Sequence, residues 1–338
     1  MARTLGNAAA SRPEGGASQE GGHLFGDQEF YGAALCMKKI YEQIRQAAAT
    51  DLPVLLLGET GTGKELVARA MHLASDRRAG PYIPVNLGAI PTELVGSELF
   101  GHEKGAFTGA SERNKGRFEQ AEGGTLFLDE ISMIDEKMQV SLLRIIEQKE
   151  FYRLGGGRAV PADVRLIAAS NDDLAELAKQ GRFREYLYYR LDVFRISIPA
   201  LRERRGDVAL MTEKFLERYS RSFHKEVAGI SAECMQILEA YPWPGNVREL
   251  KNVIQRAVLV CGQDTLLPEH LPPRFLNGKQ RARSDETIFE VGVTLDRMER
   301  EMIVRTLEAS GNNRTRAAQL LGISRRALYN KLQKHNLR

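Results

Sequence analysis

The sequence predicts an α/β fold built on a parallel sheet and followed by helices alone. Two observations carry this reading. Short apolar runs of β character alternate with helical patterns at Val54–Leu57, Tyr82–Val85, Thr125–Leu128 and Val164–Ala169. Continuous apolar runs suit strands covered on both faces, and alternation with helices suits a parallel sheet. After Pro199 the strand signals stop, and 207–223 and 231–261 read as helices broken at Tyr241-Pro-Trp-Pro-Gly245.

At 338 residues and 43% hydrophobic content, two or three domains with sizeable cores are expected, and disorder throughout is excluded. No run of eighteen apolar residues is present, so no membrane helix is expected. The opening Met-Ala-Arg-Thr-Leu-Gly-Asn lacks the apolar segment of a signal peptide. Cys36, Cys234 and Cys261 lie far apart in no metal or disulfide spacing, so we expect buried free thiols in a reducing cytoplasm. Net charge is +4, yet Gly311–Arg338 holds seven Lys/Arg and no acid, leaving −3 on the other 310 residues. Such a block suits a phosphate-facing surface or a solvated tail, and charge alone does not decide.

Along the chain, residues 1–23 read as a flexible leader, with five Ala, five Gly and two Ser among the first 22. Met37, Ile40, Tyr41 and Ile44 then repeat at helical spacing. The α/β part is assigned 24–199 and the helical part 200–265. Residues 266–292, polar and with three prolines and Lys279-Gln-Arg-Ala-Arg283 nearby, read as a linker. A last helical unit covers 293–338.

Gly58-Glu-Thr-Gly-Thr-Gly-Lys64 follows the run Val54–Leu57 and opens a helical pattern, Glu65–Ala74. This is the setting of a phosphate-binding loop: Gly58, Glu59, Thr60, Gly61, Thr62 and Gly63 curl backbone N–H groups around phosphates, and Lys64 supplies a point charge. Glu65 stands where a Ser or Thr would ligate Mg²⁺, so the metal must lean on waters, phosphates and another carboxylate. Gly123-Gly-Thr-Leu-Phe-Leu-Asp-Glu130 provides one. Asp129 suits Mg²⁺ through water and Glu130 suits the attacking water of nucleoside triphosphate hydrolysis.

In the last unit, Leu295, Met298, Met302, Ile303 and Leu307 form one helical stripe, and Gly311-Asn-Asn313 breaks the chain. Thr315–Leu321 reads as a short helix, Gly322 as a turn and Ser324 as the N-cap of a helix reaching about Lys334. This is a helix-turn-helix pattern. Ala317 and Ala318 suit a close crossing, and Leu321, Ile323, Leu328 and Leu332 suit the core. Arg325, Arg326, Tyr329, Asn330 and Gln333 remain for DNA, joined by Arg314, Arg316, Ser324 and Lys331.

From about residue 24 to 338 the sequence closely resembles the AAA+ unit and Fis-like domain of sigma-54-dependent transcriptional activators, the bacterial enhancer-binding proteins. The signature is Gly105-Ala-Phe-Thr-Gly-Ala110, flanked by Glu98-Leu-Phe-Gly-His-Glu-Lys104. By resemblance, the loop of Gly105, Ala106, Phe107, Thr108, Gly109 and Ala110 engages sigma-54. Gly58–Glu65 matches the family's phosphate loop, Glu65 included. Asn86 matches an Asn that contacts the catalytic Glu, and Asn171 corresponds to sensor I. Arg184 and Arg190 resemble arginine fingers given to a neighbouring subunit, and Arg248 corresponds to sensor II. Leu87, Ser170 and Tyr186 depart from the family pattern.

The resemblance implies ATP and Mg²⁺ as cofactors, and sigma-54 RNA polymerase and enhancer DNA as partners. It further implies a homo-oligomer, from dimer to hexameric ring, a place among two-component systems, and a cytoplasmic location without membrane contact. Only about 23 residues precede the AAA+ unit, too few for a receiver domain; a truncated or constitutive form, or control by a separate protein, is then expected. Two readings compete. A regulator using nucleotide only as an assembly switch is opposed by the joint presence of Lys64, Asp129 and Glu130. A replication initiator or helicase loader would lack the Gly105–Ala110 insertion.

Overall fold

A computed structural model describes residues 22–25, 28–276, 295–311 and 313–335. Most of the expected leader, and 277–294 with Lys279–Arg283, lie outside the described residues. The chain divides into two units, Met1–Leu276 and Asn277–Arg338.

In the first unit, helix α1 (Leu35–Ala48) leads into β1 (Val54–Leu57), α2 (Lys64–Leu73), β2 (Tyr82–Asn86) and α3 (Thr92–Phe100). Then come β3 (Thr125–Asp129), α4 (Glu136–Gln148), β4 (Arg165–Ser170), α5 (Leu174–Lys179), α6 (Glu185–Leu191) and β5 (Phe194–Ser197). The five strands form one sheet in the order β5-β1-β4-β3-β2, all parallel. Alternate strand residues feed opposite faces. Leu55, Leu126, Leu128 and Ala168 pack with Val95, Leu99, Leu142 and Ile145 from α3 and α4. Val54, Leu56, Phe127, Ile167 and Ile196 pack with Met37, Ile40, Ile44, Val67 and Met71 from α1 and α2. Each fully buried large aliphatic contributes roughly 1.5–3 kcal/mol, so the sheet is the rigid part of the unit.

The register fixes where the strands stop. Leu57 is level with Ser170 on one side and Ser197 on the other, and Asn86 is level with Asp129. The carboxyl ends therefore line one edge, where parallel sheets place their ligands. The expected strand 164–169 runs instead from Arg165 to Ser170, and β2 continues through Asn86. Strand β5 escapes the sequence reading. It lies at the sheet edge with Ile196 buried and Arg195 and Ser197 exposed, so it has no continuous apolar run to detect.

Beyond Pro199 this unit is mainly helical: α7 (Asp207–Ser222), α8 (Ala232–Ala240) and α9 (Asn246–Val260), packed around the fully buried Trp243, whose Nε1 donates to Leu238 O at 2.8 Å. Strand structure does not stop at Pro199: Gly229–Ile230 pairs in parallel with Thr265–Leu266. The stretch read as linker from 266 begins inside this core. Leu266, Leu271 and Phe275 are buried, and Phe275 meets Tyr241 at 4.4 Å and Trp243 at 5.5 Å between ring centroids. Its prolines shape short turns whose apolar residues point inward, a pattern too brief to give a period.

The second unit holds α10 (Leu295–Ala309), α11 (Arg314–Leu320) and α12 (Arg325–Lys334). Ile303, Ala317, Ala318, Leu328 and Leu332 form its core, with Leu307, Leu321 and Ile323 against it. Met302, expected in the apolar stripe, is exposed, and the side chains of Leu295 and Met298 lie outside the described residues. Among the described residues all cysteines are free; Cys234 and Cys261 are buried as expected and Cys36 only half so.

Candidate functional site

The loop between β1 and α2 is a tight crown. Gly61 and Gly63 have φ of +82° and +103°, a region open to glycine and closed to most side chains. Gly63 directly precedes α2, whose N-terminal N–H groups face the loop. Lys64 is buried, and its ammonium donates to Gly58 O at 2.8 Å and Glu59 O at 3.4 Å. Burial holds its pKa below the ordinary lysine value; Asp129 and Glu130 act in the opposite direction. An incoming polyanion would relieve that burial penalty, which is what a phosphate-binding lysine needs. Glu65 and Thr60 are exposed, whereas Thr62 is buried and its hydroxyl donates to Glu59 O at 2.8 Å.

Asp129 ends β3 half-buried, and its Oδ1 accepts from Glu130 N at 3.0 Å. Glu130 has φ of +58°, a conformation costing a non-glycine residue about 1–3 kcal/mol. That strain turns its carboxylate across the end of β2, over Gly88; a Cβ at Gly88 would meet Glu130 Oε2 at 1.9 Å. Asn86 lies beside the same glycine, but its Oδ1 accepts from Ala89 N at 3.1 Å and caps that turn. The oxygen-only set around Asp129 and Glu130 suits a hard divalent cation such as Mg²⁺. At the end of β4, Ser170 Oγ and the Asp172 backbone bond reciprocally at 3.0 Å, leaving Asn171 exposed. Asp172, which the sequence reading passed over, accepts from Ser132 Oγ at 2.6 Å and adds negative potential at Lys64. The sheet thus brings Lys64, Asn86, Asp129, Glu130 and Asn171 to one edge.

The helical part closes on the loop. Arg248 N donates to Gly61 O at 3.3 Å, and a Cβ on Gly61 would lie 2.4 Å from Gly245 O and 3.2 Å from Arg248 Cβ. Arg202 pairs with Glu59, and Asn246 Nδ2 donates to Glu59 Oε2 at 3.1 Å. These contacts hold the Glu59 carboxyl down at about 2. Arg184 and Arg190 stand apart from this cluster. Both are exposed and engage α4, Arg184 with Glu136 at 2.6 Å and Arg190 with Glu147 at 3.0 Å. Tyr186 and Tyr189 between them are also exposed.

The hexapeptide forms a closed turn, with Gly105 N donating to Ala110 O at 2.8 Å and Ala110 N to Phe107 O at 3.0 Å. Phe107 is 41% exposed and packs edge-on to His102 at 4.9 Å. Ala110 is buried. Sequence reasoning missed what holds this turn. Arg153 bonds Glu119 through two nitrogens, at 2.8 and 2.7 Å, and Glu103 at 2.9 Å. Gly155, with φ of +71°, lies so close to Ala106 that a Cβ there would meet Ala106 Cβ at 2.8 Å. The one available signal was Gly155-Gly-Gly157, three glycines in a row.

In the second unit Ser324 caps α12 by accepting from Ala327 N at 3.1 Å. Arg314, Arg316, Arg325, Arg326, Tyr329 and Asn330 are exposed. Lys331 is tied to Glu299 of α10, and Lys334 pairs with Asp296. The positive charge turned outward is therefore mostly arginine.

Comparison with known proteins agrees with this geometry. Residues 30–197 match the Sigma-54 interaction domain, 202–288 the AAA+ ATPase lid domain and 294–335 the Bacterial regulatory protein, Fis family. The transcriptional regulatory protein ZraR of Salmonella typhimurium is 46% identical over 305 residues, covering 90% of this chain and 68% of that protein. The chain belongs to the sigma-54-dependent transcriptional activators. Regulatory protein AtoC of Escherichia coli is 44% identical over 306 residues, 89% of this chain and 66% of AtoC. Nitrogen fixation protein AnfA of Azotobacter vinelandii is 44% identical over 305 residues. The chain spans about two thirds of AtoC and 56% of AnfA. Crystal structures of NtrX from Brucella abortus in complex with ADP and with ATP superpose with TM-scores of 0.70 at 32% identity, covering 91% of this chain and 70% of theirs. Among the described residues no helix is long and apolar enough to cross a membrane.

Proposed function

We propose that this sigma-54-dependent activator binds enhancer DNA through its C-terminal unit and hydrolyses ATP to remodel the closed sigma-54 RNA polymerase complex into an open one. The observation that carries the reading is the meeting of Lys64, Asp129, Glu130 and Asn171 at one sheet edge, with the Phe107 loop held nearby in the same unit through α3. Backbone N–H groups of 58–64 receive the phosphates, and Lys64 leaves Gly58 O and Glu59 O to neutralise them. Glu130, already turned by its strained backbone, orients and polarises the attacking water. Asn171 lies at the γ-phosphate end, and Arg248 reports on the nucleotide from the lid. Asp129 would hold Mg²⁺ through water, and the ion would neutralise phosphate charge.

Arg184 and Arg190 serve a neighbouring subunit's nucleotide within a homo-oligomer. Their present partners are exposed ion pairs worth about 0–1 kcal/mol each, so both arginines are released cheaply when a better anion arrives. The movement of the nucleotide pocket reaches Phe107 through the turn carrying Gly88 and through α3. Energy input is required because melting about ten base-pair steps at roughly 1.4 kcal/mol per step takes about 14 kcal/mol. Contacts of one exposed loop, which must also release, do not supply that.

The test is ATP turnover by the parent and by Glu130→Ala, with nucleotide binding followed in parallel. We expect Glu130→Ala to bind ATP and lose turnover. Equal rates would reject the enzyme reading in favour of nucleotide as an assembly switch.

A further inference from the structure

A loop that offers its N–H groups to phosphates must turn its carbonyls elsewhere, and those carbonyls need partners. In this chain the partners are specific. Gly58 O and Glu59 O accept from Lys64 itself. The next three carbonyls in order, Thr60 O, Gly61 O and Thr62 O, are each held from outside the loop. Asn246 Nδ2 reaches Thr60 O at 3.1 Å, Arg248 N reaches Gly61 O at 3.3 Å, and Arg204 Nη2 reaches Thr62 O at 3.0 Å. Asn246 is fully buried and has φ of +51°, a left-handed conformation that asparagine tolerates better than most residues. Its side chain is used on both ends: Oδ1 accepts from Leu201 N at 2.8 Å, while Nδ2 serves both Thr60 O and Glu59 Oε2. One amide thus joins the phosphate loop, the entry to the helical lid and the first turn of α9, two residues before Arg248.

We propose that Asn246 is a positioning residue for phosphate binding: it holds the carbonyl side of the loop outward so that the N–H side is preformed. The same amide gives the lid a link to the bound phosphates that does not pass through the Arg248 guanidinium. This rests on reading the loop as the nucleotide site.

Asn246→Asp tests it. The change keeps the shape, the left-handed tolerance and the acceptor for Leu201 N. It removes the donor to Thr60 O and sets a carboxylate against that carbonyl and against Glu59. Displacement of a fluorescent ADP analogue from the full chain, by ADP and separately by AMP, reads the effect. We expect ADP to weaken tenfold or more and AMP, which lacks the β phosphate, to change less than threefold. Adding Glu59→Gln supplies an amide donor to the new carboxylate and should recover at least threefold. A merely structural residue would weaken both nucleotides alike and gain nothing from Glu59→Gln. Should Asn246→Asp fail to fold, Asn246→Ser, which also removes the donor to Thr60 O, reads the same bond. There a loss of ADP affinity at least threefold larger than the loss of AMP affinity supports the proposal. Parental ADP affinity in whichever variant folds overturns it, while a parent that binds no ADP overturns the reading of the loop instead.

Discussion

Gly61 and Gly105 have the same φ, +82°, and differ only in what surrounds them. A Cβ on Gly61 would sit 2.4 Å from Gly245 O and 3.2 Å from Arg248 Cβ; a Cβ on Gly105 would meet nothing within 4 Å. Alanine at either position carries the left-handed penalty of about 1–2 kcal/mol. The loss of glycine's freedom in the unfolded chain returns about 0.4–1 kcal/mol. Gly105→Ala should therefore lose roughly 1 kcal/mol. Gly61→Ala adds an overlap with rigid backbone, about 1–3 kcal/mol more, and a loss near 2–4 kcal/mol follows. For a unit of this size each kcal/mol moves Tm by about 2–4 °C, so the two variants should separate by roughly 2–12 °C. Thermal unfolding of the full chain, scored on the AAA+ transition, is the assay, with ADP binding as the second readout. Gly61→Ala should also weaken ADP, because the strain falls on the loop–lid contact; Gly105→Ala should not. Equal Tm shifts would refute the packing of the loop against Gly245.

Three further outcomes are expected. Phe107→Ala should keep ATP turnover within twofold and lose sigma-54 capture in a pull-down, since the ring is exposed and touches only the loop's own surroundings. The Glu119 carboxyl is held below its ordinary value by hydrogen bonding to Arg153. The Arg153 anchor is therefore intact above about pH 4.5 and weakens as pH falls through the lowered value; protection of 103–110 against hydrogen exchange, taken relative to the intrinsic rate at each pH, should fall there, and Arg153→Ala should be poorly protected at neutral pH and lose that acid-dependent step. Arg325→Ala should weaken enhancer DNA and reduce the slope of log affinity against log salt by about one. Lys331→Ala, whose ammonium is committed to Glu299, should change that slope less and lower the melting temperature of the C-terminal unit.

Wherever the fold rests on long periods or fixed spacings, the chain alone determined it. The buried strands β1, β3 and β4 are continuous apolar runs because they are covered on both faces, and the phosphate loop is legible because glycine and lysine must stand at set intervals. Ser324 as a cap and Leu328 and Leu332 as core follow from local geometry. Tertiary structure decided what depends on residues far apart. Strand β5 has only one buried face, and residues 266–276 join the lid core through single side chains in proline-shaped turns, so neither leaves a period to read. The Arg153–Glu119–Glu103 anchor and the Asn246 junction unite residues separated by 34 to 187 positions. Their meaning lies in hydrogen bonds between side chains that only the folded chain brings together. The same holds for Lys331, which is a cation in the sequence and an internal ion pair in the folded unit, because the acid that neutralises it lies on another helix.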